Sequence, residues 1–173
     1  SGPTKRPEDP TMRTVLALLL SAPFAAAAFS NGSTDCNVPQ HGFSATPGSG
    51  GYTLVVPASY LPGETVTVSL TGTTAFKGLL LSGRNGNELP VGSWQFPSGY
   101  RGVVDCGGSS TNTLTHSSAA TKAPPVAFAW TAPSSATGFV TFRATIMVDF
   151  ATFFVIEAST QEVFDPVFGN GFE

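Results

Sequence analysis

Residues 105–145 read DCGGSSTNTLTHSSAATKAPPVAFAWTAPSSATGFVTFRAT, and this stretch decides the fold. Val126, Phe128 and Trp130 alternate with Ala127, Ala129 and Thr131 until Pro133 stops the run. From Gly138 a second run sets Val140, Phe142, Ala144 and Ile146 on one side and Thr141, Arg143 and Thr145 on the other. An apolar period of two is the mark of a strand with one face in a core and the other toward solvent. The Pro and Gly residues between the runs punctuate them as turns.

The same period extends outward on both sides. Tyr52–Val56 reads as a strand, 57–63 as a turn ending in Pro62-Gly63, and Thr65–Leu70 as a half-buried strand with Val66, Val68 and Leu70 inward. Phe76–Ser82 is a more continuous apolar strand, followed by GRNGN at 83–87, whose Asn85-Gly86 pair tolerates the positive φ of a tight turn. Val91–Phe96, with Trp94 and Phe96 on one face, Gly102–Cys106, Leu114–Ser117 and Phe153–Ala158 complete the set. No long helical period occurs outside residues 12–28. About eight or nine short strands separated by turn signals predict an all-β, antiparallel β-sandwich.

Met12-Arg13 followed by TVLALLLSAPFAAAA has the charged start, apolar stretch and small residues of a secretory signal, cut near Ala28. An uncleaved anchor is the alternative, though the stretch is short for a membrane span. Residues 1–11 precede Met12 and read as a non-native or mis-assigned leader. The domain then occupies 29–160, with an irregular Asn/Gly/Ser/Pro-rich lead-in over 29–51, and 161–173 is a tail. After signal cleavage no stable membrane insertion is expected, and the protein is expected to be secreted or periplasmic. Beyond Ala28 five basic residues face nine acids, a net charge of −4, with no basic run. A phosphate-binding footprint is therefore missing, and nucleic acid is excluded as a partner.

The two cysteines are Cys36 and Cys106. In an exported chain a disulfide is the default, and two buried thiols are the alternative. A bridge would close a loop of about 70 residues and contribute about 4 kcal/mol in the chain-entropy treatment, less any strain. They are too far apart, without a second Cys or His pair, for a zinc site.

No set of residues amounts to a catalytic site. There is no G-x-S-x-G elbow, no phosphate loop or dinucleotide fingerprint, and the acids are scattered singly. No cofactor or metal is expected. His116, between Thr115 and Ser117, reads as a side chain satisfying backbone groups at a strand edge, and His41 as a brace for the lead-in. Only a meeting of His41 with His116 would give a metal a place. Trp130 alternates with core residues. Trp94, Tyr100 and Arg101 flank the glycines of 92–102 and form a candidate recognition surface, or else cover one end of the sandwich.

In order along the chain, Cys36 with Pro39 and His41, Tyr60-Leu61-Pro62-Gly63-Glu64, Phe76-Lys77-Gly78, Cys106, Thr115-His116-Ser117, Lys122, Trp130-Thr131-Ala132-Pro133 and Gly138 resemble the reeler domain. This is the extracellular module of reelin, the spondins and small insect defence proteins. The resemblance covers Cys36 to Ser159 and implies an immunoglobulin-like sandwich, secretion and a Cys36–Cys106 bridge. It also implies a non-enzymatic interaction module with an extracellular protein or glycan partner, or else a defence protein. Some members carry a further cysteine pair that is missing here, so the second half must hold by packing. The tail FDPVFGNGFE resembles one ending FxxGFE on some exported bacterial proteins, which suggests a bacterial source.

Overall fold

A computed structural model describes residues 1–2, 30–37 and 43–163. The signal segment, His41 and the tail from Phe164 lie outside the described residues. Eleven strands are described: β1 (Thr53–Val55), β2 (Ser59–Tyr60), β3 (Thr65–Thr71), β4 (Gly78–Arg84), β5 (Pro90–Val91), β6 (Ser93–Trp94), β7 (Tyr100–Gly102), β8 (Thr113–His116), β9 (Val126–Thr131), β10 (Phe139–Met147) and β11 (Phe153–Glu162). They form a four-stranded sheet in the order β1-β3-β9-β6 and a seven-stranded sheet in the order β2-β11-β10-β4-β8-β7, with β5 on β4.

The period-two runs supply the facing surfaces. Val68 and Leu70 of β3, Trp130 of β9, and Val140, Phe142, Ala144 and Ile146 of β10 are all fully buried. The layers lock through edge-to-face rings: Trp130 lies 5.0 Å and Trp94 5.8 Å, centroid to centroid, from Phe142, and Tyr60 5.6 Å from Trp130. Such pairs add to what their buried area alone contributes. β4 is buried along its whole length, which is why GLLLSGR reads as continuous rather than alternating. Leu79 and Leu81 enter the main core, while Leu80 joins Val103 and Cys106 in a small cluster on the sheet's other face.

The sandwich is as expected in kind and differs in detail. The strand count exceeds the expected eight or nine because β2, β5 and β6 have two residues each. β2 lies inside the expected 57–63 turn and pairs parallel with β11, Gln161 opposite Ser59, so the architecture is not wholly antiparallel. The expected Val91–Phe96 strand divides between the layers: β5 pairs with β4 in one sheet and β6 with β9 in the other. Gly92 makes the crossing at φ 71°, against the Trp130 indole. Trp94 is accordingly buried and Phe96 exposed, not on one face. The strand expected at Gly102–Cys106 is β7, displaced toward Tyr100, and β11 continues to Glu162, two residues into the expected tail.

Candidate functional site

Cys36 and Cys106 are disulfide-bonded, 5.3 Å apart between Cα atoms, and the bridge fastens the lead-in against the outer face of the larger sheet. Ser33 N–H donates to Thr115 Oγ1 (3.0 Å), whose hydroxyl donates to the Leu79 carbonyl (2.9 Å). Gly32, at φ 100°, lies so close to β8 that a Cβ there would be 2.1 Å from the His116 carbonyl oxygen. The Arg84 guanidinium is buried here, and its donors go to the Cys36 carbonyl, the Glu88 carbonyl (2.8 Å) and Ser82 Oγ (3.0 Å). Burial lowers its pKa from the usual arginine value, opposed by the charges of Glu88 and Glu157. A buried cation must be saturated in this way, because each unmet donor costs about 1–3 kcal/mol.

The Thr115-His116-Ser117 and Lys122 elements are ties between backbone segments. The His116 imidazole is buried with Nδ1 3.2 Å from the Leu79 amide nitrogen, which donates to it in the tautomer protonated at Nε2. Ser117 N–H donates to the Gly99 carbonyl (2.9 Å). Lys122 Nζ donates to the carbonyls of Ser118 and Ala120 (2.8 Å each) and Lys77 (3.1 Å), and lies 5.9 Å from the Tyr100 ring centroid. Burial lowers its pKa. Trp130 is a core residue whose Nε1 donates to the Val91 carbonyl (3.0 Å).

Trp94, Tyr100 and Arg101 do not make an open patch, which corrects the recognition surface expected from the sequence. Trp94 is 4% exposed and its indole N–H donates to the Asn112 carbonyl (3.2 Å). The Tyr100 ring packs edge-on against Phe128 at 5.0 Å, and burial of its hydroxyl pushes its pKa up to about 12. Arg101 is half-buried and turned onto the lead-in, donating from Nε to the Asn31 carbonyl (2.6 Å). The pull of the core on the two rings decides the outcome. Among the described residues no three His, Cys, Asp or Glu side chains converge as metal ligands.

Two features were not anticipated. Glu162 is buried at the end of β11, where Oε2 accepts from the amides of Thr137 and Gly138 (2.5 Å each). Beside it the Tyr60 hydroxyl donates to the Gly138 carbonyl (2.7 Å); burial, then the charge and hydrogen bond of Glu162, push its pKa up to about 12. The second is a groove of about 510 Å³ at the mouth between the sheets, where β1 and β11 face each other. Tyr52, Leu54 and Ile156 line its apolar part, and Ser49, Val155 and Glu157 its rim. Nothing in the sequence signals either: Glu162 meets amides in the loop before β10, and the groove needs β1 and β11, about 100 residues apart, to meet at a sandwich edge.

Known proteins share this framework. The chain resembles "Putative defense protein 1" of Antheraea mylitta, 32% identical over 153 residues covering 84% of this chain and 89% of that one. It is 30% identical to human "Ferric-chelate reductase 1" over 68% of this chain, but that match spans only a fifth of the reductase. The crystal structure of the Reelin-N domain of F-spondin superposes with a TM-score of 0.59 at 20% identity, covering 70% of this chain and 92% of that domain, a likeness of fold. These relatives come from animals, so they do not carry the bacterial source suggested by the tail. The family model for the reeler domain matches residues 34–165, running from just before the bridged Cys36 to just past the buried Glu162, and the chain belongs to the reeler domain family.

Proposed function

We propose that this protein is a secreted, non-enzymatic interaction module that presents its edges and loops to an extracellular protein or glycan. The observation that carries the reading is how its polar side chains are used. His116, Lys122, Arg84 and Arg101 are all turned onto main-chain groups and hold the lead-in and loops in place. The Cys36–Cys106 bridge suits an oxidising compartment. Membership of the reeler family supports the extracellular setting. The test is capture: purified, oxidised protein is cross-linked to an extracellular fraction and applied to a glycan array. Saturable binding of a discrete partner is expected; hydrolytic or redox turnover with no saturable partner would overturn the reading.

The printed names of the insect relatives favour a second reading, a defence protein. The acidic surface is unsuited to disrupting anionic bilayers, which recruit basic faces, so a defence role would act by recognition. Growth inhibition assays on a broad microbial panel decide it, and uniform inactivity would remove it.

A further inference from the structure

Among the described residues, the outer edge of β11 is covered only at its two ends. Glu162 N–H donates to Gly138 and Val148 N–H to Thr152 across the β10–β11 pair, which fixes the alternation between the two strands. Phe154, Ile156, Ala158 and Thr160 exchange hydrogen bonds with β10, and the intervening residues aim their amides and carbonyls outward. At one end the Phe153 carbonyl accepts from Thr46; at the other, Gln161 N–H donates to Ala58 as β2 docks. Between them the outward main-chain groups of Val155, Glu157 and Ser159 have no partner among the described residues. This vacancy coincides with the groove, whose floor holds Leu54 and Ile156. Seven residues lie between Phe153 and Gln161, a span of about 23 Å at strand rise.

We infer that this slot takes an extended segment of a partner polypeptide as an added strand on β11, with apolar and basic side chains alternating. The inference rests on the interaction-module reading and names the surface and kind of partner. An unpaired strand edge is a template for main-chain hydrogen bonding, and alternate side chains supply specificity. Side chains of the added strand opposite Val155, Glu157 and Ser159 lie on the outer face beside them. There Glu157 (2.5 Å) and Glu88 (2.9 Å) meet Arg143, with the buried Arg84 beside them; the two carboxylate side chains are 46% and 62% exposed and Arg143 only 24%, so this face presents its negative groups outward to a lysine or arginine. The residues between point the other way, over Leu54 and Ile156, where an apolar side chain covers the mouth.

The test uses the oxidised full chain and the probe peptide acetyl-TVKVT-amide, in three forms: unmodified, N-methylated on the lysine, and N-methylated on both valines. Successive amides of an added strand face opposite ways, so one N-methylated form loses about tenfold or more in affinity and the other keeps it. The unmodified peptide slows hydrogen exchange at Val155, Glu157 and Ser159. Glu157→Pro removes an outward N–H without touching the β10 ladder, so this variant keeps its fold and loses the peptide. Equal effects of the two methylations, or protection elsewhere, overturn the inference. So does protection of those three amides in the free protein, whether it vanishes on truncation after Val163 (the chain's own tail as occupant) or on dilution (a second copy). If Glu157→Pro captures the extracellular partner as the native chain does, the slot is wrong and the interaction module stands.

Discussion

Tyr52, Tyr60 and Tyr100 are the three tyrosines of this chain, and burial raises the phenol pKa of each, to about 12 for Tyr60 and Tyr100. The folded state therefore holds protons that the unfolded state releases from about pH 10. The resulting stability is fully present below about pH 10 and is lost as pH rises through about 12. A tyrosinate absorbance titration is expected to show no step at the ordinary phenol value in the folded protein, and a three-tyrosine step once the chain is unfolded. A phenol that titrates normally in the native state would contradict this. Lys122 makes a second residue-scale case. Its three carbonyl partners lie at 77, 118 and 120, and no local pattern advertises them. Lys122→Met is expected to cost about 1–2 kcal/mol in urea unfolding, because the carbonyls lose a charged donor. Trp130, by contrast, was legible as core from its alternation with Phe128. Trp94 was legible only as an aromatic near glycines, and one of these, Gly92, is where the chain changes layer.

The strands that sequence reveals well are those whose two faces differ. β3, β9 and β10 alternate because one face meets the opposing sheet, and their limits fall within a residue or two of the expected ones. β2, β5 and β6 are legible poorly, because two residues carry no period; β2 and β6 also pair with strands remote in the chain, while β5 folds back on the adjacent β4. The division of 90–96 between sheets turns on Gly92. Gly92→Ala would place a Cβ 2.4 Å from the Trp130 indole at a backbone φ of 71°. Strain and collision together are expected to cost more than about 2 kcal/mol, with a change in Trp fluorescence that a mere surface effect would not produce. At the centre of the partner layer, Phe142→Ala removes a fully buried ring that touches both tryptophans. A loss of about 3–5 kcal/mol in denaturant unfolding is expected.

At the scale of the whole molecule, the layers and the bridge were foreseeable, while the groove and the β11 edge were not. The core pattern specifies that two sheets stack; it leaves open where their margins part. The disulfide closes a separation of 70 residues, and its removal by Cys36→Ser with Cys106→Ser is expected to cost up to about 4 kcal/mol. The β-body has its own core, so circular dichroism should retain strand content. The first effect should be rapid proteolysis within 30–37, because among the described residues that segment is held by the bridge and by a few hydrogen bonds to β4, β7 and β8. Loss of all strand signal would show instead that the body cannot stand without its clamp.

The parallel seam between β2 and β11 also has a bearing on biogenesis. Gln161 is synthesised about 100 residues after Ser59, yet each is the other's neighbour. That seam must therefore wait until β11 has been made. Cys106 precedes β11 in the chain, so sulfur oxidation has a window in which to tether the lead-in while β11 is still being translated.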